Sequence, residues 1–498
     1  MKKKIKKISI IMIWLLIWQM AAIFIHNDIL LAGPVEVGRT LVKLLFTADF
    51  YRICMASLGR ILWGFCLAFV TGALLGALSC RFALVGEIAQ PVLAVMKSIP
   101  VASFVVLLLI WQGAENLSVW ISFFVVFPNA CISTRNGLEA VDTKLKEMAD
   151  VFGIRGIKRA FYIYRPSLGM FLMAGMEVSI GMAFKSGVAA EVIGVPDFSI
   201  GERIYVSKIY LDTPGLFAWT FTLILLSFLT EKLILKVMGL LTGPVKLHGN
   251  AGIPKDQMQE EKRENSEIRE MTGRKEDTGQ SPPGEFVRLS HISKSFEGEK
   301  VLRDVNMELQ KGNCYLLMGP SGSGKTTLLR ILAGLEKADG GQIQKNDSGE
   351  MAGHGHRHDK CPRHDYSLRT AYMFQEDRLL EKELTITNIM LTTKGVNRQQ
   401  VEGAVTDILP RSCLYMPVWA LSGGMKRRCA LARTLFYEKE NEDVICLLDE
   451  PFAGLDDETK ERTAAFIKRH LKGRTLIVAT HDEKDAELLG GSIWRIAE

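Results

Sequence analysis

The chain has 498 residues, of which 48% are hydrophobic and 23% charged, and its formal net charge is +6. This length favours two domains, and the small charge excess, with basic residues interleaved among acidic ones, argues against nucleic acid as a partner. The nine cysteines form no C-x-x-C pair, which favours a reducing compartment in which they act as small apolar side chains.

The first half of the chain contains apolar segments that predict a membrane domain over residues 1–243. A helix needs about 20 apolar residues to cross a bilayer. Six segments qualify, at roughly 8–26, 57–79, 88–111, 117–133, 168–192 and 215–238. The basic cluster from Met1 to Lys7 predicts a cytoplasmic N-terminus, although a cleaved signal peptide is an alternative for the first segment. An even number of spans returns the chain to the cytoplasm.

A loop between the fourth and fifth predicted spans, residues 134–166, is the most basic of this half. It contains Glu147-Met-Ala149, then Gly153, then Ile163-x-Arg165-Pro166. This spacing resembles the E-A-A loop of the permeases of ABC importers. Met148 and Arg165 depart from that pattern. The resemblance implies that the loop couples to an ATPase through Glu147, Ala149 and Gly153, whereas the alternative is an ordinary basic loop. Two other segments, Lys97-Ser-Ile-Pro-Val101 and Trp111-Gln-Gly-Ala-Glu-Asn-Leu-Ser118, resemble segments of the permeases for nitrate, sulfonate and taurine.

Lys185 lies in the middle of the fifth predicted span. A lysine at this depth costs about 2.5–3.5 kcal/mol on insertion scales and usually faces a protein interior or a water-filled path. One interpretation is an internal ion pair with Glu177 or Glu191, or a side chain that reaches an interface. The other is that Lys185 lines a path and favours an anionic solute.

Residues 244–284 are polar and show no periodicity, which predicts a disordered linker. With an r.m.s. span of roughly 35 Å, it would let the second domain dock on its own membrane half or on that of a partner, and the sequence leaves both open.

Residues 285–498 have the mixed composition of a soluble α/β domain. Residues 319–326 read Gly-Pro-Ser-Gly-Ser-Gly-Lys-Thr and fit the phosphate-binding pattern G-x-x-x-x-G-K-[ST]. An apolar strand is predicted before this loop and a helix after it, so backbone N–H groups and a helix N-terminus point at phosphate. Further along, residues 421–425 read Leu-Ser-Gly-Gly-Met. Together the two motifs resemble the ATP-binding cassette (ABC) family.

The resemblance implies ATP and Mg²⁺ as cofactors and assigns a role to each motif residue. The nucleotide-binding set is Phe296, Gly319, Pro320, Ser321, Gly322, Ser323, Gly324, Lys325, Thr326, Thr327, Ser422, Gly423 and Gly424. Mg²⁺ would be held by Thr326, Gln375 and Asp449. Glu450 follows the apolar strand predicted at 444–448 and would be the general base, with His481 near the γ-phosphate and Gln375 near the attacking water. Phe296, where relatives carry tyrosine against adenine, is alternatively a loop residue.

A departure from the family lies between these motifs. Residues 341–369 contain a histidine-rich loop with His354, His356, His358, Cys361 and His364. Alternating histidines can chelate Zn²⁺ or Ni²⁺, whereas the alternative is a tolerated surface insertion.

The expected fold is an α-helical six-span transmembrane domain followed by an α/β P-loop ATPase domain in one chain. The expected function is ATP-driven import of a small anionic solute, such as a sulfonate or nitrate, across the bacterial cytoplasmic membrane. The alternatives are an exporter-type half-transporter and a mechanotransmitting ATPase that moves no solute. Because the chain has one phosphate loop and one Leu-Ser-Gly-Gly segment, a homodimer is expected. A separate extracytoplasmic substrate-binding protein and the lipid bilayer are the other expected partners.

Overall fold

The computed structural model describes residues 2–25, 27, 29–242, 285–345, 368–439 and 441–496. The chain forms two compact units: unit 1 comprises Met1–Val141 and Tyr164–Gly243, and unit 2 comprises Asp142–Ile163 and Pro244–Glu498. The sequence assigns residues 142–163 to the membrane domain, whereas in the structure they belong to the same unit as the ATPase. The predicted linker 244–284 and the histidine-rich stretch 354–364 lie outside the described residues.

In the first half of the chain, all regular secondary structure of the described residues is helical. Its helices are α1 (Lys2–Ile25), α2 (Pro34–Leu45), α3 (Ala48–Arg81), α4 (Ala83–Ser98), α5 (Val101–Glu139), α6 (Thr143–Val151), α7 (Gly156–Arg159), α8 (Arg165–Gly194), α9 (Ile200–Ile209) and α10 (Thr213–Thr242). A π-helical turn, Ala160–Tyr164, joins α7 to α8. Within the described residues, three helices are long and apolar enough to cross a membrane: Ala48–Arg81, Val101–Glu139 and Gly156–Gly194.

Four of the predicted apolar segments each lie within one helix, α3, α5, α8 or α10, and α1 covers residues 8–25 of the first predicted segment. The prediction of one continuous helix over 88–111 is wrong. Helix α4 ends at Ser98, Ile99 is extended, and α5 begins at Val101. The cause is Pro100, whose ring disfavours a helical conformation at the preceding residue. Apolar composition alone does not reveal such a break.

Unit 1 is held together by close contacts among its long helices. Helices α3, α5 and α8 contribute most of one buried apolar cluster, with Ile61, Val126 and Phe184 among its members. A Cβ atom added at Gly72 of α3 would lie 2.7 Å from the carbonyl oxygen of Phe127. Glycine therefore lets the backbones of α3 and α5 approach each other, as small residues do in membrane helix pairs.

The described residues of unit 2 form two sheets and the remaining helices. Its strands are β1 (Glu285–Phe296), β2 (Glu299–Gln310), β3 (Cys314–Met318), β4 (Gly340–Lys345), β5 (Thr370–Met373), β6 (Ile445–Asp449), β7 (Leu476–Thr480) and β8 (Ser492–Arg495). Its helices are α11 (Lys325–Leu332), α12 (Thr385–Met390), α13 (Arg398–Val405), α14 (Arg411–Leu414), α15 (Gly423–Phe436), α16 (Asp457–Leu471) and α17 (Glu483–Leu489). Strands β2-β1-β4 form an antiparallel sheet.

The second sheet of unit 2 is parallel, with the strand order β5-β6-β7-β3-β8. Strand β6 is buried along its whole length, as the apolar run at 444–448 predicts. Its last residue, Asp449, pairs with Ala479, and Met318 at the end of β3 pairs with Thr480. The carboxyl ends of these strands therefore share one edge, where open α/β sheets bind ligands. The predicted α/β fold is confirmed.

Candidate functional site

The phosphate loop connects the end of β3 to the start of α11. Gly324 has a φ of 91°, and a Cβ atom there would lie 2.6 Å from Leu302 Cδ2 and 2.9 Å from the carbonyl oxygen of Val301. Only glycine fits this position. The loop is followed at once by α11, whose first N–H groups have no partner within the helix. The local structure is thus the strand, glycine-rich loop and helix that bind phosphate.

The ammonium group of Lys325 lies over this loop. Its Nζ donates hydrogen bonds to the carbonyl oxygens of Gly319 at 2.6 Å and Pro320 at 2.8 Å. Lys325 is itself buried. A positive charge is therefore fixed beside the loop N–H groups, which is the arrangement that attracts phosphate.

Asp449 and Thr326 lie side by side at the carboxyl end of β6. The Thr326 hydroxyl is hydrogen-bonded to the Asp449 carboxylate, and the Tyr372 hydroxyl donates to Asp449 Oδ2 at 3.2 Å. Burial raises the pKa of Asp449, although these two hydrogen bonds oppose the shift. The described residues contain no group of three or more His, Cys, Asp or Glu side chains that could hold a metal. One carboxylate and one hydroxyl suit Mg²⁺, which takes few protein ligands and relies on phosphates and waters.

Glu450 follows Asp449 in an unusual backbone conformation. Its φ is 49°, in the left-handed region, which costs a non-glycine residue roughly 1–3 kcal/mol. The backbone N–H donates to the carbonyl oxygen of Ala479 at 2.9 Å. Glu450 Oε1 lies 3.4 Å from Nδ1 of His481. The structure therefore brings together the predicted base and the predicted γ-phosphate ligand.

Arg427 on α15 is a residue that the sequence did not single out. It is buried, and its guanidinium donates to the carbonyl oxygens of Phe374 at 3.1 Å and Glu450 at 2.6 Å, and to those of Gln375 and Asp449. It thus fixes the ends of β5 and β6 relative to each other and supports the strained turn at Glu450. The adjacent Lys426 and Arg428 make position 427 look like part of a basic surface, so no local signal marks it.

Three other predicted residues of the site, Gln375, Phe296 and Ser422, lie at exposed positions. Gln375 is exposed two residues after the end of β5. Phe296 is exposed at the end of β1, with Lys294 Nζ 5.1 Å from its ring centroid. Ser422 caps α15, since its hydroxyl accepts a hydrogen bond from Met425 N at 3.3 Å. Within the described residues, no hydrogen bond joins the predicted residues 422–424 to the phosphate loop.

The segment 142–163 packs onto the ATPase residues of unit 2 through Glu147 on α6. Arg330 donates to both carboxylate oxygens, at 3.0 and 3.1 Å, and Arg378 Nη1 lies 2.5 Å from Oε2. Burial tends to raise the pKa of Glu147, but the hydrogen bonds from both arginines outweigh it, so the pKa lies below its usual value. Arg330 belongs to the helix that starts at the phosphate loop, and Arg378 follows Gln375 by three positions. Glu147 therefore contacts both elements that extend from the nucleotide site.

Apolar and charged contacts extend this interface beyond Glu147. Ala149 is fully buried on α6. Phe152 is also buried and meets the Tyr437 ring edge-on at 5.3 Å between centroids, with Arg433 Cζ 5.1 Å from the Phe152 ring. Gly153 has a φ of 63°, and the next N–H, of Ile154, donates to the Ala149 carbonyl oxygen at 2.8 Å. A turn that favours glycine thus ends α6 at this interface.

In unit 1, Lys185 and Glu191 have different surroundings on α8. Lys185 is exposed, and none of the hydrogen bonds or ion pairs of the described residues involves it. Glu191 is fully buried, accepting hydrogen bonds from Ser57 Oγ at 2.8 Å and Gly201 N at 3.3 Å. An internal ion pair of Lys185 with Glu191, which was one of the open interpretations, is therefore not formed among the described residues. The buried contacts of Glu191 were not anticipated from the sequence, because their partners lie on other helices.

The chain matches two family models. Residues 302–453 match the family described as ABC transporter, and residues 68–234 match the family described as binding-protein-dependent transport system inner membrane component.

Among curated proteins, the chain is 35% identical to the "Aliphatic sulfonates import ATP-binding protein SsuB" of Delftia acidovorans over 42% of this chain and 78% of that protein. It is 34% identical to an SsuB protein of Pseudomonas savastanoi pv. phaseolicola, over 44% and 77%. It is 36% identical to the "Sulfate/thiosulfate import ATP-binding protein CysA" of Anthoceros angustus, over 40% of this chain and about half, 51%, of that relative. The chain belongs to the ABC transporter family and carries in one polypeptide both an ATPase cassette and a segment of the inner-membrane component type.

Proposed function

We propose that this protein hydrolyses ATP to drive the import of a small anionic solute across the bacterial cytoplasmic membrane, as permease and ATPase in one chain. The contacts of Glu147 carry the proposal. They join the segment between two membrane-domain helices, α5 and α8, to the helix after the phosphate loop and to the residues after Gln375. A movement of the nucleotide site therefore has a direct route to the membrane helices. The sulfonate and sulfate import proteins among the relatives support import of an anion.

In the proposed reaction, the phosphate loop and Lys325 bind the phosphates of ATP. Mg²⁺, held by Thr326, Asp449 and Gln375, would neutralise charge on the β- and γ-phosphates when bound. Glu450 accepts the proton of the attacking water, and His481 lies beside it to contact the γ-phosphate. Phe296 offers an exposed ring for the adenine. Arg427 positions Glu450 through the backbone rather than touching the substrate.

The proposed assembly is a homodimer with a separate extracytoplasmic substrate-binding protein. A 14-residue helix begins at Gly423, directly after Ser422. Among the described residues, no hydrogen bond joins residues 422–424 to the phosphate loop of the same chain. In a dimer with twofold symmetry, each copy would present this helix start to the γ-phosphate held by the other copy. Two copies also supply two membrane domains to enclose one path.

The substitution Glu450→Gln tests the catalytic part. The amide cannot accept the proton of water, so we expect ATP binding to persist while hydrolysis falls by at least a hundredfold, in the range that general-base catalysis contributes. Glu458→Gln on α16 is the control, because Glu458 is exposed and pairs only with Arg462 among the described ion pairs. Hydrolysis by Glu450→Gln protein at a rate near that of the control would rule out this base.

The dimer is tested by complementation between two inactive chains. Lys325→Ala breaks the phosphate loop, and Ser422→Arg breaks the segment presented to the partner. Each variant alone has two broken sites, whereas a mixed dimer keeps one intact site and should recover up to half of the activity. No recovery in mixed dimers purified through a different tag on each chain would exclude the shared site.

A further inference from the structure

We propose that Tyr372 is a positioning residue for Asp449, whose carboxylate it holds in the orientation that binds Mg²⁺. This inference rests on the proposed function, in which Asp449 and Thr326 hold Mg²⁺ beside the phosphates of ATP. Tyr372 is not itself a ligand in this proposal. It acts through Asp449 and sets the affinity of the site for the metal.

The first support is the partner that the Tyr372 hydroxyl has in the core. Strand β5 is buried at all four of its positions, and Tyr372 is 1% exposed. A buried tyrosine hydroxyl normally has a hydrogen-bond partner, because an unpaired buried polar group costs free energy. Here the partner is Asp449 Oδ2, at 3.2 Å. Because the acceptor is a carboxylate, this bond is stronger than one to a neutral group.

The second support is that the strand and a neighbouring ring fix the place of Tyr372. In the parallel pair of β5 and β6, Tyr372 lies opposite Leu447. Side chains alternate along a strand, so Leu447 and Asp449 lie on the same face of β6. The Phe374 ring packs against the Tyr372 ring, with 4.3 Å between centroids. The hydroxyl is therefore presented to the carboxylate from a fixed position.

The third support is that the Asp449 carboxylate needs such a donor. Asp449 is 1% exposed, and the adjacent Glu450 carries a second carboxylate. The Thr326 hydroxyl is also bonded to Asp449, but in the proposed site the Thr326 oxygen is a metal ligand as well. The bond from Tyr372 to Oδ2 opposes rotation of the carboxylate, so its orientation toward Thr326 is set before the metal binds. Groups that orient a metal-binding carboxylate in this way contribute strongly to metal affinity.

The substitution Tyr372→Phe tests the inference, because it removes the hydroxyl and keeps the ring. Full-length protein is mixed with an equal concentration of a non-hydrolysable ATP analogue and titrated with Mn²⁺, which prefers the same octahedral oxygen coordination as Mg²⁺. Water-proton relaxation distinguishes Mn²⁺ bound to protein and analogue from Mn²⁺ bound to the analogue alone. In Tyr372→Phe protein we expect the half-saturating Mn²⁺ concentration to rise about 10- to 100-fold.

The matched control is Tyr315→Phe on β3. Tyr315 is also buried, but its hydroxyl accepts a hydrogen bond from Gln310 N at 2.7 Å and has no contact with Asp449. The control should change the half-saturating Mn²⁺ concentration by less than about twofold. In the presence of a chelator, both tyrosine variants should bind the analogue as the wild-type protein does, since the phosphate loop is intact.

The variant Asp449→Asn separates failure of the inference from failure of the proposed site. It should weaken Mn²⁺ binding, and adding Tyr372→Phe to it should change the affinity by less than about twofold, because the carboxylate on which Tyr372 acts is gone. If Asp449→Asn weakens Mn²⁺ binding but Tyr372→Phe behaves like Tyr315→Phe, the inference is wrong and the proposed metal site stands. If Asp449→Asn protein binds Mn²⁺ as the wild-type protein does, Asp449 is not a ligand, and that part of the proposed function fails together with the inference.

Discussion

Replacing Glu147 by glutamine changes one charge at the centre of the docked segment and almost nothing in its shape. The carboxylate receives hydrogen bonds from Arg330 at 3.0 and 3.1 Å and from Arg378 at 2.5 Å. In the variant these two guanidinium groups remain beside each other with no carboxylate between them. The neutral amide can accept a hydrogen bond from one of them but cannot offset their repulsion. The docked state of the segment should therefore lose stability.

The exposure of the three side chains sets the size of the effect. Glu147 is 26% exposed, Arg330 25% and Arg378 10%. Breaking a fully buried ion pair costs about 3–5 kcal/mol, whereas exposed pairs contribute about 0.2–1 kcal/mol. This network lies between the two limits, so we expect a loss of about 2–3 kcal/mol. At about 1.4 kcal/mol for each tenfold change, opening of the segment becomes roughly 30- to 150-fold more frequent.

Amide hydrogen exchange over residues 143–154 measures this opening directly. Met148 and Ala149 are buried on α6, so their amides exchange only when the helix opens or leaves the interface. In Glu147→Gln protein the exchange of this region should accelerate roughly 30- to 150-fold. The matched control is Asp150→Asn on the same helix, which removes only the half-exposed pair with Arg159 and should change exchange by less than about fivefold. Equal exchange in Glu147→Gln and control proteins would refute the reasoning.

The remaining predictions concern the membrane domain and the core of unit 2. Lys185 is exposed and has no ion-pair partner among the described residues. Lys185→Met should therefore reduce uptake of an anionic substrate into vesicles at least several-fold, whereas Lys185→Arg should retain most of the uptake. Unchanged uptake by the methionine variant would show that Lys185 does not line the path. His470 is buried beside Lys439, and burial together with that charge lowers its pKa from 6.5 to about 4. Between these two pKa values the unfolded chain binds a proton at this histidine that the folded chain does not. The free energy of unfolding therefore decreases as the pH falls, and at pH 5 it is about 2 kcal/mol lower than at a pH well above 6.5. The drop in melting temperature from pH 7 to pH 5 should accordingly be larger for the wild-type protein than for His470→Gln, and parallel drops would contradict this assignment.

The sequence by itself determined the class of each half and predicted the residues of the candidate nucleotide site. The phosphate loop and the pair Asp449 and Glu450 were predicted because each depends on a few consecutive residues between a strand and a helix. Their placement at one edge follows from parallel strand pairing, which the apolar runs already indicated. Their individual roles in catalysis remain predictions. The long apolar segments predicted a helical membrane domain for a similar reason, since length and composition suffice.

The tertiary structure decided what depends on contacts between distant residues. Glu147 is separated from Arg330 and Arg378 by 183 and 231 residues, and no local pattern pairs a glutamate with arginines so far away. Arg427 likewise cannot be distinguished by sequence from its basic neighbours Lys426 and Arg428. Of these three residues, however, Arg427 alone is buried, and it donates hydrogen bonds to four carbonyl oxygens. The break of the apolar segment at Pro100 was also missed, because hydrophobicity does not report backbone geometry. Short motifs encode chemistry that neighbouring residues supply, whereas the contact between the segment 142–163 and the cassette exists only after the chain has folded.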